Sequence, residues 1–87
     1  MLVILYYDWF GTTKALDEWK TAWEKACADT EGISKCKHYT SHQARYHYAY
    51  IMKMESYDDL MEAWSKLTIE RDRSVMTHSA IEILTES

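Results

Sequence analysis

Apolar residues occupy both alternating faces of the first ten positions: Leu2, Ile4 and Tyr6 on one, Val3, Leu5, Tyr7 and Trp9 on the other. A strand covered on both sides has this pattern, because successive side chains point to opposite faces. Gly11-Thr12-Thr13 ends the run, and either Thr is suited to cap a helix. From Lys14 to about Thr30 the apolar positions recur in steps of three and four: Leu16, Trp19, Trp23, Ala26, Cys27 and Thr30. That spacing predicts a helix with one buried face. Asp17 and Glu18 are placed in its first turns, where the dipole favours anions, and Gly32 is read as its stop.

Ile33–Ser41 and Arg45–Glu55 alternate with period two and are rich in Tyr, Thr, Ile and His. They predict a hairpin turning near Ser41–Ala44. If that turn is tight and even-numbered, His38 faces His47 and Tyr39 faces Tyr46. Ser56 followed by Asp59 resembles a capping box. A second helix carries Tyr57, Leu60, Met61, Trp64, Leu67 and Thr68 on one face and ends in Glu70-Arg71-Asp72-Arg73. A last strand is expected at about Met76–Thr85. The stretch Asp17–Trp23 recurs loosely as Asp58–Trp64 at a spacing of 41, so each half reads as a β-α-β unit.

Two helices with single apolar faces pack on one side of a four-stranded sheet, leaving the other side open. Since the first strand is apolar on both faces, that open side marks an interaction surface. A symmetric homodimer through the open sheet face covers it most economically. At 87 residues the chain is read as one domain, 1–87, whose own core is marginal without a partner.

Composition narrows the function classes. Asp and Glu outnumber Lys and Arg by 14 to 10 with no basic block, which argues against nucleic acid as a partner. The longest apolar run, Met1–Tyr7, is too short to span a membrane and lacks the features of a signal peptide, so no membrane and a cytoplasmic location are expected. Cys27 and Cys36 are then expected as free thiols. Seven Tyr and four Trp exclude a disordered chain.

Element order, length and the run Tyr50-Ile51-Met52-Lys53-Met54-Glu55-Ser56-Tyr57-Asp58-Asp59-Leu60 resemble the dimeric α+β barrel superfamily, whose protomers are ferredoxin-like. The resemblance covers the whole chain and implies a four-stranded antiparallel sheet with two helices on one face. The superfamily includes cofactor-free monooxygenases, haem-degrading monooxygenases, lactone isomerases, stress-responsive proteins and ligand-sensing domains. Its haem-degrading branch uses an Asn, a Trp and a His; this chain has no Asn, and its second helix offers no His, so that branch is set aside. No cofactor is implied.

Three groups of residues carry the candidate chemistry. Asp8 interrupts an apolar strand and, with His38 and His47, supplies candidate catalytic bases. Tyr46, Tyr48 and Tyr50 alternate along one strand face and, with Trp64, suit the wall of a site for a small planar or aromatic compound. Cys36, His38 and His47 would share a face only in an even hairpin register, forming a three-ligand metal site as an alternative. The leading reading is thus a small cofactor-free monooxygenase- or isomerase-like enzyme. Its alternatives are a non-enzymatic ligand-binding or stress-associated dimer, in which the same aromatics bind or pack, and a metal-binding module.

Overall fold

The computed structural model describes residues 1–42, 45–67 and 79–86. Among them the elements run β1 (Leu2–Tyr7), α1 (Thr13–Ala28), β2 (Ile33–Thr40), β3 (Tyr48–Met54), α2 (Tyr57–Ser65) and β4 (Ser79–Leu84). This is the expected β-α-β-β-α-β order. All strand pairs are antiparallel, and the sheet order is β2-β3-β1-β4.

Each helix start has a visible cause. The Thr12 hydroxyl accepts the Ala15 N–H at 3.1 Å, and the Thr12 carbonyl accepts the indole N–H of Trp9 at 3.1 Å. Asp17 and Glu18 lie in the second turn of α1, and no acid occupies the first. At α2 the Asp59 carboxylate accepts the N–H groups of Ser56 at 2.9 Å and Glu55 at 3.2 Å, satisfying donors that the helix itself leaves open.

Gly32 has a different role from the helix stop expected of it. α1 is capped at Asp29, whose N–H reaches the Lys25 carbonyl at 2.9 Å, and Gly32 does not adopt a positive φ. Its value is size: a Cβ there would collide with the Asp59 carboxylate. The Gly32 carbonyl also accepts the Glu55 N–H at 3.0 Å, so the start of β2 is fitted to the start of α2.

The core lies between the helices and one sheet face. Val3, Leu5 and Tyr7 of β1 join Trp19, Trp23, Ala26 and Cys27 of α1, Tyr50, Met52 and Met54 of β3, and Leu60 and Ala63 of α2. Burying rings of this size removes the most apolar surface per residue, which compensates for a short chain. Trp19 and Trp23 stack at 5.8 Å and 16°, and Trp64 meets both edge-on, at 6.3 and 5.6 Å.

The opposite face is open, and the register aligns it in three rows across the sheet. Lys35, Lys53, Leu2 and Leu84 form the first, Lys37, Ile51, Ile4 and Glu82 the second, and Tyr39, Ala49, Tyr6 and Ala80 the third. Leu2, Leu84 and Tyr39 are 41%, 47% and 47% exposed, a poor arrangement for apolar groups left in water.

Two expectations need correction here. In the observed hairpin Tyr39 meets Ala49 and His38 meets Tyr50, so the strands sit three residues away from the register in which His38 faces His47 and Tyr39 faces Tyr46. An odd slip turns residues to the other face. The cause is the connection, which runs from 41 to 47 and is closed by the Ser41 N–H on the His47 carbonyl at 2.6 Å. The second helix is also shorter than expected: α2 ends at Ser65 and is capped at Lys66, whose N–H turns back to the Ala63 and Glu62 carbonyls. That end comes well before the charged stretch 70–73, which with residues 76–78 of the expected last strand lies outside the described residues.

Candidate functional site

The register that separates the two histidines brings other groups together at one end of the sheet. Tyr7 lies opposite Tyr48, Leu5 opposite Tyr50, and Tyr50 opposite His38, so Tyr7, Tyr48, Tyr50 and His38 all face the helix layer. The Tyr7 hydroxyl is 2.6 Å from His38 Nε2. Burial, helped by the charge of Lys20, lowers His38 from 6.5 to about 4, so the ring is neutral at pH 7. Burial likewise pushes the Tyr7 hydroxyl above its ordinary value, so it keeps its proton. With Tyr7 as donor, Nε2 is the acceptor and Nδ1 of His38 carries the proton.

Tyr50 packs edge-on against His38 at 4.7 Å and donates its hydroxyl to the Lys20 carbonyl at 3.4 Å. Its hydroxyl, too, is held protonated by burial. Tyr48 stacks on His38 at 5.5 Å and meets His47 edge-on at 6.4 Å, so one phenol ring lies between two imidazoles.

His47 is held in a different way. Asp8, only 8% exposed although charged, follows directly on Tyr7 at the end of β1. Its Oδ1 accepts the His47 backbone N–H at 2.8 Å and sits 3.1 Å from Nδ1 of the same residue. The ring itself is 78% exposed, so Nε2 is presented to solvent. A carboxylate on one ring nitrogen fixes the tautomer and leaves the other free for proton transfer.

Of the residues read from the sequence, Asp8, His38, His47, Tyr48 and Tyr50 meet here. Tyr46 does not: it precedes β3, and its ring stacks at 5.6 Å on Tyr6, which points to the open face. Trp64 sits on α2 against Trp19 and Trp23. The metal alternative fails on geometry. Cys36 lies opposite Met52 and His38 opposite Tyr50, while His47 is turned to Asp8. Among the described residues no three His, Cys, Asp or Glu side chains form a group able to hold a metal ion. Cys27 and Cys36 are free thiols, the first buried and the second half-buried. A hydrogen bond to Cys36, together with burial, raises the Cys27 thiol well above its ordinary range. Tyr7, the partner of His38, carried no signal in the sequence beyond its place on the inner face of the first strand.

A hollow of about 650 Å³ lies away from these groups, on the open face, with Leu2, Ile51 and Leu84 among its apolar lining and Lys35, Lys37 and Lys53 as its cations. Among the described residues no helix is long and apolar enough to cross a membrane.

No family model and no curated protein matches the chain. Among solved structures it is similar to a dimeric ferredoxin-like protein of unknown function from Thermobifida fusca YX. The match has a TM-score of 0.64 at 12% identity and covers 93% of this chain and 85% of that one. At that identity the likeness is one of fold.

Proposed function

We propose that this chain is a small acid–base enzyme of the isomerase or cofactor-free oxygenase type, acting on a small planar compound at the end of the sheet. The observation that carries the reading is the position of Tyr48 between two imidazoles, 5.5 Å from His38 and 6.4 Å from His47, whose environments differ. Environments that drive like groups apart are how a protein separates acid from base roles. His47, oriented by Asp8, takes a proton through Nε2 from a carbon or hydroxyl acidified by a neighbouring carbonyl. Asp8 then stabilises the imidazolium that forms. The neutral ring of His38 is suited to donate from Nδ1 to the developing enolate oxygen, and Tyr48 offers a face on which a planar substrate stacks. An isomerase returns the proton elsewhere on the carbanion; a cofactor-free oxygenase passes the same carbanion to oxygen. The first step is common to both.

The test is solvent-deuterium exchange into 2-tetralone, a planar enolisable ketone, followed by proton NMR. The wild type is expected to exceed an equal concentration of free imidazole. His47→Ala and Asp8→Ala are each expected to lose about a hundredfold or more, the low end of a positioned general base. Equal rates in all three proteins would sink the assignment.

The working form is proposed to be a homodimer closed through the open sheet face. Leu2, Leu84 and Tyr39 remain 41–47% exposed there, and the T. fusca protein of similar fold is described as dimeric. Native mass spectrometry at micromolar concentration is expected to return twice the 10.3 kDa chain mass. A monomer mass would overturn this part.

A further inference from the structure

The rows of the open face define more than a surface; they define how a second copy sits on it. Lys37 is on β2 and Glu82 on β4, at opposite edges of the sheet, yet both are in the second row. Glu82 is held over the face by the Tyr6 hydroxyl, which donates to its Oε1 at 3.3 Å. Lys35 and Lys53 stand directly opposite each other in the first row, a like-charge pair that destabilises a sheet. Among the described residues none of the three lysines has an acidic partner within its own chain. The acids of this face lie at the far edge, on and just beyond β4.

A face-to-face dimer has a two-fold axis in the plane between the sheets, and its direction decides what meets what. An axis across the strands through the second, middle row lays β2 on β2 and β4 on β4, so Lys37 meets Lys37 and Glu82 meets Glu82. An axis along the strands keeps each row level and exchanges the edges, so Lys37 of one protomer meets Glu82 of its partner, twice. Packed sheets lie roughly 10 Å apart, a span that an extended Lys and Glu bridge together. The same operation lays Lys53 on the partner's Leu2 and Lys35 on the partner's Leu84, one row short of Glu86, so that the hollow is roofed and its cations gain a counter-charge.

We propose that two copies of this chain close their open faces about a two-fold axis parallel to the strands, fixed by reciprocal Lys37–Glu82 pairs. The proposal rests on the homodimer suggested above and adds its geometry. Like-charge contact in the other orientation supplies the discrimination.

Charge reversal tests it. Both residues are exposed in the protomer, so Lys37→Glu and Glu82→Lys should leave its fold and circular dichroism unchanged. Each alone places like charges at both contacts and is expected to weaken the dimer by about tenfold or more. The double variant restores wild-type dimerisation. Mixed in equal amounts, the two single variants restore opposite charges at both contacts and pair with each other in clear excess over the statistical fraction by native mass spectrometry. A wild-type dimer whose single variants are undisturbed, or whose mixture is statistical, overturns the strand-parallel axis while leaving dimerisation intact. A wild-type monomer overturns the homodimer itself. Dimerisation of the wild type is expected to weaken in 0.5 M salt toward that of the double Lys37→Ala, Glu82→Ala variant, whose own affinity should change little with salt, because exposed rim pairs are screened.

Discussion

The Tyr7 hydroxyl lies 2.6 Å from Nε2 of His38, a contact between residues 31 positions apart that exists only because β3 separates their strands by one phenol-rich row. It makes His38 a half-buried acceptor rather than the surface base or metal ligand its strand position suggests. Burial then keeps the ring neutral down to about pH 4.

That neutrality has a consequence for stability. His38 binds a proton near its ordinary 6.5 in the unfolded chain and only near 4 when folded. The unfolded state therefore takes up protons first as pH falls, and stability present above about 6.5 is lost between there and about 4. Because the ring is partly solvated, the loss is expected to be about 1–2 kcal/mol. Urea denaturation at pH 7.5 and 4.0, for the wild type and His38→Gln, measures it. An identical pH dependence in the variant contradicts the assignment.

Gly32→Ala is expected to cost about 1–3 kcal/mol, since the new methyl displaces the carboxylate that caps α2. Asp59→Ala alone is expected to cost about 1 kcal/mol through the lost cap. In the double variant the two losses should add to less than their sum, because Asp59 no longer fills the space. Strict additivity in a double-mutant cycle would show that the two sites are independent.

Asp8→Ala leaves the His47 N–H, now served at 2.8 Å, without its acceptor. A stability loss of about 1–3 kcal/mol follows from an unmade bond at a partly buried donor. His47→Ala keeps that backbone bond and removes only a ring that is 78% exposed, so its cost should stay within about 0.5 kcal/mol. Comparable losses in the two variants would mean that the ring, not the backbone contact, carries the interaction.

Trp64 separates packing from binding. Trp23 is fully buried, and its replacement by Ala is expected to cost about 3–5 kcal/mol. Trp64, half-buried at the rim of the same cluster, should cost clearly less on truncation and leave deuterium exchange into 2-tetralone unchanged. A fall in exchange with Trp64→Ala would return this residue to the site.

Much of the fold was readable because hydrophobic period survives without tertiary information. The steps of Leu16, Trp19, Trp23, Ala26 and Cys27 marked α1, and the doubly apolar β1 marked the centre of a sheet with one open face. Asp59 announced its cap by its distance from Ser56. What stayed hidden depended on register. The hairpin connection has neither Gly nor a compact turn sequence, so nothing local said that Tyr39 would meet Ala49. From that one unknown followed the separation of His38 from His47 and the dissolution of the metal alternative, while Tyr46 left the row because β3 begins only at Tyr48. Apart from Tyr7, the residues of the candidate site were individually visible, but their pairing was not. Asp8 with His47 and Tyr7 with His38 each join chain segments whose proximity is set by strand order. Gly32 shows the same limit, since a glycine required by a distant carboxylate looks in sequence like one required by a helix end.

The division of labour between the two imidazoles is open to direct observation in nitrogen-15 spectra of the histidine side chains at pH 7. His38 is expected as a neutral ring protonated at Nδ1, with an Nε2 signal shifted by the Tyr7 hydrogen bond that moves toward the free-imidazole position in Tyr7→Phe. His47 is expected to keep a hydrogen-bonded Nδ1 that responds to Asp8→Asn and not to Tyr7→Phe. If both rings give the averaged spectrum of free imidazole and neither responds to its partner's replacement, the sheet end does not hold an acid–base pair.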